Sequence, residues 1–97
     1  MERPIGFMSA LSDLEFLILD ELYFISSYNT VLQNVGYDEE IFRSALISLL
    51  EKGWISQMKY DSGRNDFERF DEADSTSISK SYFVATKQGL LIHNSRN

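Results

Sequence analysis

The sequence predicts an α+β fold in which three helices precede a two-stranded antiparallel sheet and a short C-terminal helical turn. Apolar residues recur at helical spacing in two segments, 14–25 and 41–50. Two segments rich in β-branched and aromatic residues, 54–60 and 82–85, follow them. A chain of 97 residues has the length of one domain. We therefore expect a single domain over 1–97, with its core over about 12–92.

The first helix is predicted to begin after Ser12, because Ser12 and Glu15 have the spacing of a capping box. Its inward face is expected to contain Leu14, Leu17, Ile18, Leu22 and Ile25, and the helix is expected to run to about residue 24 or 25. After the turn at 26–29, a short second helix is predicted over 30–35, ending at Gly36.

The third helix is predicted to begin at Asp38, a residue type that caps helices, and to end before Gly53. Its apolar residues recur with the period of a broad buried face: Ile41, Phe42, Ala45, Leu46, Leu49 and Leu50. This face is expected to be the main contribution of the helix to the core.

Two strands are predicted after the third helix, Trp54–Tyr60 and Tyr82–Ala85, and we expect them to pair antiparallel. The segment that joins them, 61–81, exceeds what a tight hairpin needs and is expected to be a long wing or a mobile loop. Thr86–Gly89 resembles a capped turn, which leads into a final short helical piece over 90–93.

Composition limits the classes of function that the chain can perform. A net charge of −6 repels polyanions at long range, so nucleic acid or an anionic membrane requires a locally basic patch. The sequence contains no cysteine and no apolar run of the length of a membrane span. We expect a soluble cytoplasmic protein without a membrane partner.

Two segments carry a family resemblance. Ala45–Ile55 looks like the helix exit "aLxxLxxxGxI" of winged helix-turn-helix domains, and Tyr82–Gly89 looks like their "YxxTxxG" wing return. Both are similar to segments of MarR-type and PadR-type bacterial transcriptional regulators, and the resemblance covers about 12–92. It implies that the third helix enters the major groove of double-stranded DNA and that 61–81 is the wing, which touches the phosphates or the minor groove.

The resemblance implies DNA-contacting residues at six positions, three on the third helix and three on the wing: Arg43, Ser44, Ser48, Arg64, Arg69 and Lys80. Between Asp38 and Lys52, however, four acids outnumber two bases, which suits phosphate poorly. Arg43 fits either a base contact or a surface ion pair with Glu39 or Glu40. Arg64 fits a phosphate contact or a solvated turn.

A second hypothesis is an acidic winged-helix module that binds protein, either another chain or a second copy, and not DNA. Tyr37 and Ile47 are its expected contact residues, because Ile47 is predicted to face outward. An enzyme is not expected. The lone His93 fits a surface residue, and the acids at 71, 72 and 74 lack the spacing of a calcium loop. No metal or cofactor is predicted.

Overall fold

In the computed structural model, which describes residues 11–95, helices pack against one side of a four-stranded antiparallel sheet. The helices are α1 (Asp13–Glu21), α2 (Tyr28–Val35), α3 (Glu39–Glu51) and α4 (Lys87–Ser95), and the strands are β1 (Ser26–Ser27), β2 (Ile55–Asp61), β3 (Asp66–Arg69) and β4 (Tyr82–Ala85). A 3₁₀ helix, Ser75–Lys80, precedes β4. The α+β prediction is confirmed, but the sheet has four strands where two were expected. Within 11–95, no helix has the length and apolar character to cross a membrane.

The first helix begins as predicted. Ser12 Oγ accepts a hydrogen bond from the Glu15 N–H, and the Glu15 carboxylate accepts one from the Ser12 N–H at 2.9 Å. The expected end of the helix is wrong by about three residues. Leu22 leaves the helical backbone region, and Ser26–Ser27 instead extend to pair with β4. Leu17, which was expected in the core, is exposed.

The next two helices have local starts and ends that the sequence predicts. Ser27 caps α2 and Asp38 caps α3. Gly36 and Gly53 follow these helices with φ of 71° and 75°, the left-handed region that favours glycine. At the end of α3, the Gly53 N–H donates to Leu50 O and the Trp54 N–H to Leu49 O, both at 3.0 Å. This is a Schellman motif, which ends α3 and turns the chain in the direction of β2.

The sheet has the strand order β1-β4-β2-β3. The predicted antiparallel pairing of β2 with β4 is confirmed, with Ile55 opposite Ala85 and Met58 opposite Tyr82. The two-residue strand β1 pairs with the other side of β4 and was not predicted. The last strand in the chain therefore lies inside the sheet, between the first two.

The connection over 61–81, expected as a long wing or a mobile loop, contains a strand and a 3₁₀ helix. The Asp61 carboxylate accepts a hydrogen bond from the Gly63 N–H at 2.9 Å, and Asn65 takes a positive φ of 55°. These two features turn the chain back, so that β3 pairs with β2 from Asp61 opposite Asp66 onwards. The segment is therefore a β-hairpin followed by the 3₁₀ helix.

A buried glutamine holds the rest of this connection. Gln57 Oε1 accepts a hydrogen bond from the Asp74 N–H at 2.8 Å, while Nε2 donates to Asp74 O and to Ser81 Oγ. Asp74 in turn caps the 3₁₀ helix, and the hydroxyl and N–H of Thr76 hold the pKa of the Asp74 carboxyl below its ordinary value. The connection is thus fixed to the sheet by polar contacts.

The core lies between the helices and the inner side of the sheet. Its buried members come from every helix before β2 and from β2, β4 and the 3₁₀ helix: Leu14, Ile18, Leu19, Leu22, Tyr28, Val31, Phe42, Leu46, Leu49, Ile55, Ile78 and Phe83. The expected short C-terminal turn is a nine-residue helix, α4. It begins where Thr86 Oγ1 accepts a hydrogen bond from the Gly89 N–H.

Helix α4 packs closely on the corner between α3 and β2. A Cβ atom on Gly89 would lie 2.0 Å from Trp54 O and 3.2 Å from Leu19 Cδ2. Only glycine permits this approach, since backbone atoms cannot rotate away as a flexible side chain can. The glycine of the Tyr82–Gly89 segment is therefore a packing requirement.

Candidate functional site

Helix α3 turns Phe42, Leu46 and Leu49 fully into the core, which fixes its outward side. Five exposed residues on this side, or just before the helix, form what we call the third-helix surface: Tyr37, Glu40, Ile41, Ser44 and Glu51. On a helix of 3.6 residues per turn, the four helical members fall within an arc of about 100°. This surface combines apolar side chains with carboxylates.

Two of the three DNA-contact candidates on this helix are engaged inside the protein. Arg43 is half-buried, and its Nη2 donates to Ser75 O at 3.0 Å. Ser48 donates to Glu15 Oε2 at 3.1 Å, toward α1. The expectation that both face outward is wrong, because the 3₁₀ helix and α1 flank the two sides of α3. Ser44 alone is exposed as expected.

Arg43 also lies beside a buried tyrosine. The Tyr28 hydroxyl donates to Glu39 Oε2 at 3.0 Å. Burial, which has the larger effect, and this hydrogen bond both raise the pKa of Tyr28. The Arg43 guanidinium only partly offsets the increase. The contacts of Arg43 therefore connect α2, α3 and the 3₁₀ helix.

The buried carboxylate of Glu15 is the centre of a polar cluster that the sequence did not predict. Glu15 is 6% exposed, and Lys52 Nζ and Ser48 Oγ lie 3.0 Å and 3.1 Å from Oε2. Burial alone would raise the pKa of Glu15, but the N–H of Ser12, the ammonium of Lys52 and the Ser48 hydroxyl together hold it below its ordinary value. Glu15 thus stays ionised and joins α1 to α3.

The three wing candidates remain on the surface but differ in setting. Arg64 Nε lies 3.7 Å from Asp61 Oδ2 within the hairpin turn. Arg69 is exposed on β3 opposite Met58, and Lys80 is exposed at the end of the 3₁₀ helix. Arg43 makes its hydrogen bond to the 3₁₀ helix, not to this turn. The exposed cations of the hairpin therefore do not form a continuous basic strip with the third-helix surface.

The two protein-contact candidates also separate. Tyr37 is exposed, as that hypothesis needs. Ile47 is not the outward residue that was expected, since it is half-buried and packs against the core. Ile41, which was expected to face inward, is 56% exposed. The inward arc centres on Phe42 and Leu46, so Ile41 lies beyond its edge.

A second surface follows from the alternation of the strands. Side chains that point away from the core form what we call the outer sheet face: Ser56, Met58, Tyr60, Phe67, Arg69, Tyr82 and Val84. The ring of Phe67 makes edge-to-face contacts with those of Tyr60 and Tyr82, at 5.2 Å and 5.0 Å between centroids. Tyr60 also donates a hydrogen bond to Asn65. Sequence analysis missed this face because β3 was expected to be loop.

A shallow, open cavity of about 120 Å³ lies beside the end of α3, where β2 extends beyond β3. Leu50, Ile55 and Phe70 supply its apolar wall, and Gln57 and Arg69 are among its polar lining residues. Gln57 is already bonded to Asp74 and Ser81. The lining includes no carboxylate, histidine or cysteine.

The expected surface histidine is instead buried. His93 is 6% exposed, and its ring stacks on that of Phe16 with centroids 4.3 Å apart. Nδ1 lies 3.1 Å from the Tyr23 hydroxyl, and Nε2 lies 3.2 Å from Asp20 Oδ1 without the alignment of a hydrogen bond. His93 anchors α4 to α1. Among residues 11–95, no three His, Cys, Asp or Glu side chains are arranged to hold a metal ion.

No protein-family model, curated protein or solved structure matches this chain at a significant level.

Proposed function

We propose that this chain is a winged-helix protein-interaction module that contacts a protein partner through the third-helix surface. The order of elements supports the winged-helix assignment: a helix, a short strand, two helices, and then strands that return beside the first strand. In this assignment the hairpin β2–β3 is the wing, and α3 is the helix that DNA-binding members insert into the major groove.

One observation favours a protein partner over DNA. The third-helix surface exposes Tyr37 and Ile41 beside the carboxylate of Glu40, with Glu51 at the far end of the helix, whereas Arg43 is held by Ser75. Apolar and aromatic side chains are what protein interfaces bury at their centre. Carboxylates at the start of α3 would instead repel the phosphates of a duplex.

Site-specific photocrosslinking tests the protein partner. A photoreactive amino acid replaces Ser44 at the centre of the third-helix surface, and a matched control carries it at Lys87, an exposed position on α4. We expect a protein to crosslink to position 44 and not to position 87. After that protein is purified, Ile41→Asp should weaken its binding about tenfold or more. Equal crosslinking at both positions would contradict the proposal.

Binding to random duplex DNA at low ionic strength tests the other hypothesis. We expect no complex, because the exposed third-helix surface lacks a cation to meet phosphate. A salt-sensitive complex that Arg64→Glu and Arg69→Glu abolish would show that the hairpin binds DNA and would overturn the assignment.

A further inference from the structure

The outer sheet face differs in charge from the rest of this acidic protein. Among its strand positions it carries Arg69 and no carboxylate. The acids of the same strands, Asp61, Asp66 and Glu68, alternate to the opposite side of the sheet. In a chain of net charge −6, an acid-free face with an arginine is a local exception.

The composition of this face is that of an interface centre. Tyrosine, phenylalanine, methionine and arginine are enriched in protein interfaces, whereas lysine and carboxylates are depleted there. Tyr60 is 43% exposed, and Met58, Phe67, Tyr82 and Val84 are each half-buried. The edge-to-face contacts of Phe67 with both tyrosines hold the rings in place, so little side-chain freedom would be lost on binding.

We propose that the outer sheet face docks the third-helix surface of a second copy of this chain. This inference rests on the proposed function, because it uses the same third-helix surface and names its partner. The charges are complementary: Arg69 faces a surface that carries Glu40 beside the apolar Ile41 and Glu51 at the other end of α3. The lengths also agree, at about 16 Å from residue 40 to 51 of a helix and about 13 Å from residue 56 to 60 of a strand.

Such a contact is head-to-tail, since each copy uses a different surface. A dimer still presents an unoccupied helix surface on one copy and an unoccupied sheet face on the other, so association continues with concentration unless a ring closes. A two-fold contact between outer sheet faces would bring together two Arg69 side chains and no carboxylate. A two-fold contact between third-helix surfaces would bring together like-charged Glu40 and Glu51.

Sedimentation equilibrium with complementary variants tests this arrangement. Arg69→Glu disables the sheet face and leaves the helix surface, whereas Ile41→Asp disables the helix surface and leaves the sheet face. The matched controls are Lys87→Glu for the charge reversal and Leu91→Asp for the apolar-to-acid change, because Leu91 is 60% exposed on α4, close to the 56% of Ile41. Thermal melts check that all four variants fold.

We expect the average mass of the wild type and of both controls to rise with concentration. Each of the two test variants alone should remain monomeric. Their equimolar mixture should form a heterodimer that does not grow further, since only one productive pair of surfaces remains. This restoration is specific to a head-to-tail contact.

Three results would overturn the inference. They are a monomeric wild type at the highest concentration reached, continued association of Arg69→Glu, and a mixture that stays monomeric although both single variants have lost association. None of these bears on the crosslink at position 44, which tests a protein partner of any kind. The failure of this inference is therefore distinguishable from failure of the proposed function.

Discussion

Glu15 illustrates how one residue serves two structural purposes. Its carboxylate completes the capping box of α1 and also receives Lys52 and Ser48 from the end of α3. Local spacing predicts the first of these contacts, because the cap partner lies three residues away. The second depends on how α1 packs against α3, which no local pattern encodes.

Glu15→Gln should lower the free energy of unfolding by about 1 kcal/mol at neutral pH, because the amide keeps the acceptor but removes the charge that Lys52 meets. The lowered pKa of Glu15 in the folded state means that this stabilisation is present above the ordinary glutamate pKa. It is lost as the pH falls through the folded-state pKa. Urea unfolding at several pH values should therefore show the two proteins converging at acidic pH.

Glu51→Gln is the matched control, since Glu51 is exposed near the same end of α3. It should change stability little at any pH. A difference between wild type and Glu15→Gln that persisted unchanged into acid would contradict the role of the charge.

Gly89→Ala should cost about 3 kcal/mol, because the added Cβ would lie 2.0 Å from the carbonyl oxygen of Trp54. The clash is with backbone, so relief requires α4 to move. Thermal unfolding measures the effect. Gly63→Ala is the control, since its Cβ would come no closer than 3.3 Å to a side-chain oxygen of Asp61. Equal melting temperatures for the two variants would refute the packing argument.

At the scale of elements, the sequence predicts the helix starts and ends that are determined by residues close together in the chain. The caps at Ser12 and Asp38 and the helix ends at Gly36 and Gly53 depend on contacts within a few residues, and all four are present. Strand β1 was missed because Ser26–Ser27 have no strand-like composition and become a strand only through pairing with β4. Propensity does not report such pairing.

The candidate site was predicted less well for the same reason. Periodicity places Arg43 and Ser48 on the side of α3 away from the core, but it does not reveal that the 3₁₀ helix and α1 lie against those flanks. Ile41 is exposed and Ile47 is half-buried, the reverse of the prediction, because periodicity gives the direction of the buried face but not which edge of it another element covers. Ser44 was correctly expected to be exposed, and Tyr37 is exposed as the protein-contact hypothesis requires.

The buried side chain of Gln57 bonds the connection after the hairpin to β2. Gln57→Leu should lower the free energy of unfolding by about 2 kcal/mol, because it leaves the N–H and C=O of Asp74 without their partner. Hydrogen exchange should become faster over 71–81 than elsewhere. Gln33→Leu, at an exposed position of α2, is the control and should leave exchange in that segment unchanged. Unaltered exchange in Gln57→Leu would contradict this account.

At the scale of the whole molecule, the two sides of the sheet differ in the charged side chains that they carry. Acids lie on the third-helix surface and at the inner-side positions of the hairpin. Of the residues that form the outer sheet face, only Arg69 is charged. The net charge of the chain therefore does not describe the local charge of the outer sheet face. A −6 chain still offers one surface to an acidic partner.

The sheet order makes the two ends of the fold interdependent. β4 hydrogen-bonds to both β1 and β2, so a fragment ending at Lys80 leaves β1 unpaired, leaves β2 paired with β3 alone, and removes α4 from Trp54. We expect this fragment to be unfolded by circular dichroism. A fragment ending at Ser95 is the control and should melt cooperatively. A folded shorter fragment would show that β4 is dispensable.

The inner position of β4 also has a consequence on the ribosome. Until Ala85 has left the exit tunnel, β1 and β2 of the nascent chain have no strand between them. The sheet is therefore completed only after β4 has been synthesised, and its long-range pairing slows that step. Until then, the open strand edges are accessible to chaperones and to neighbouring nascent chains.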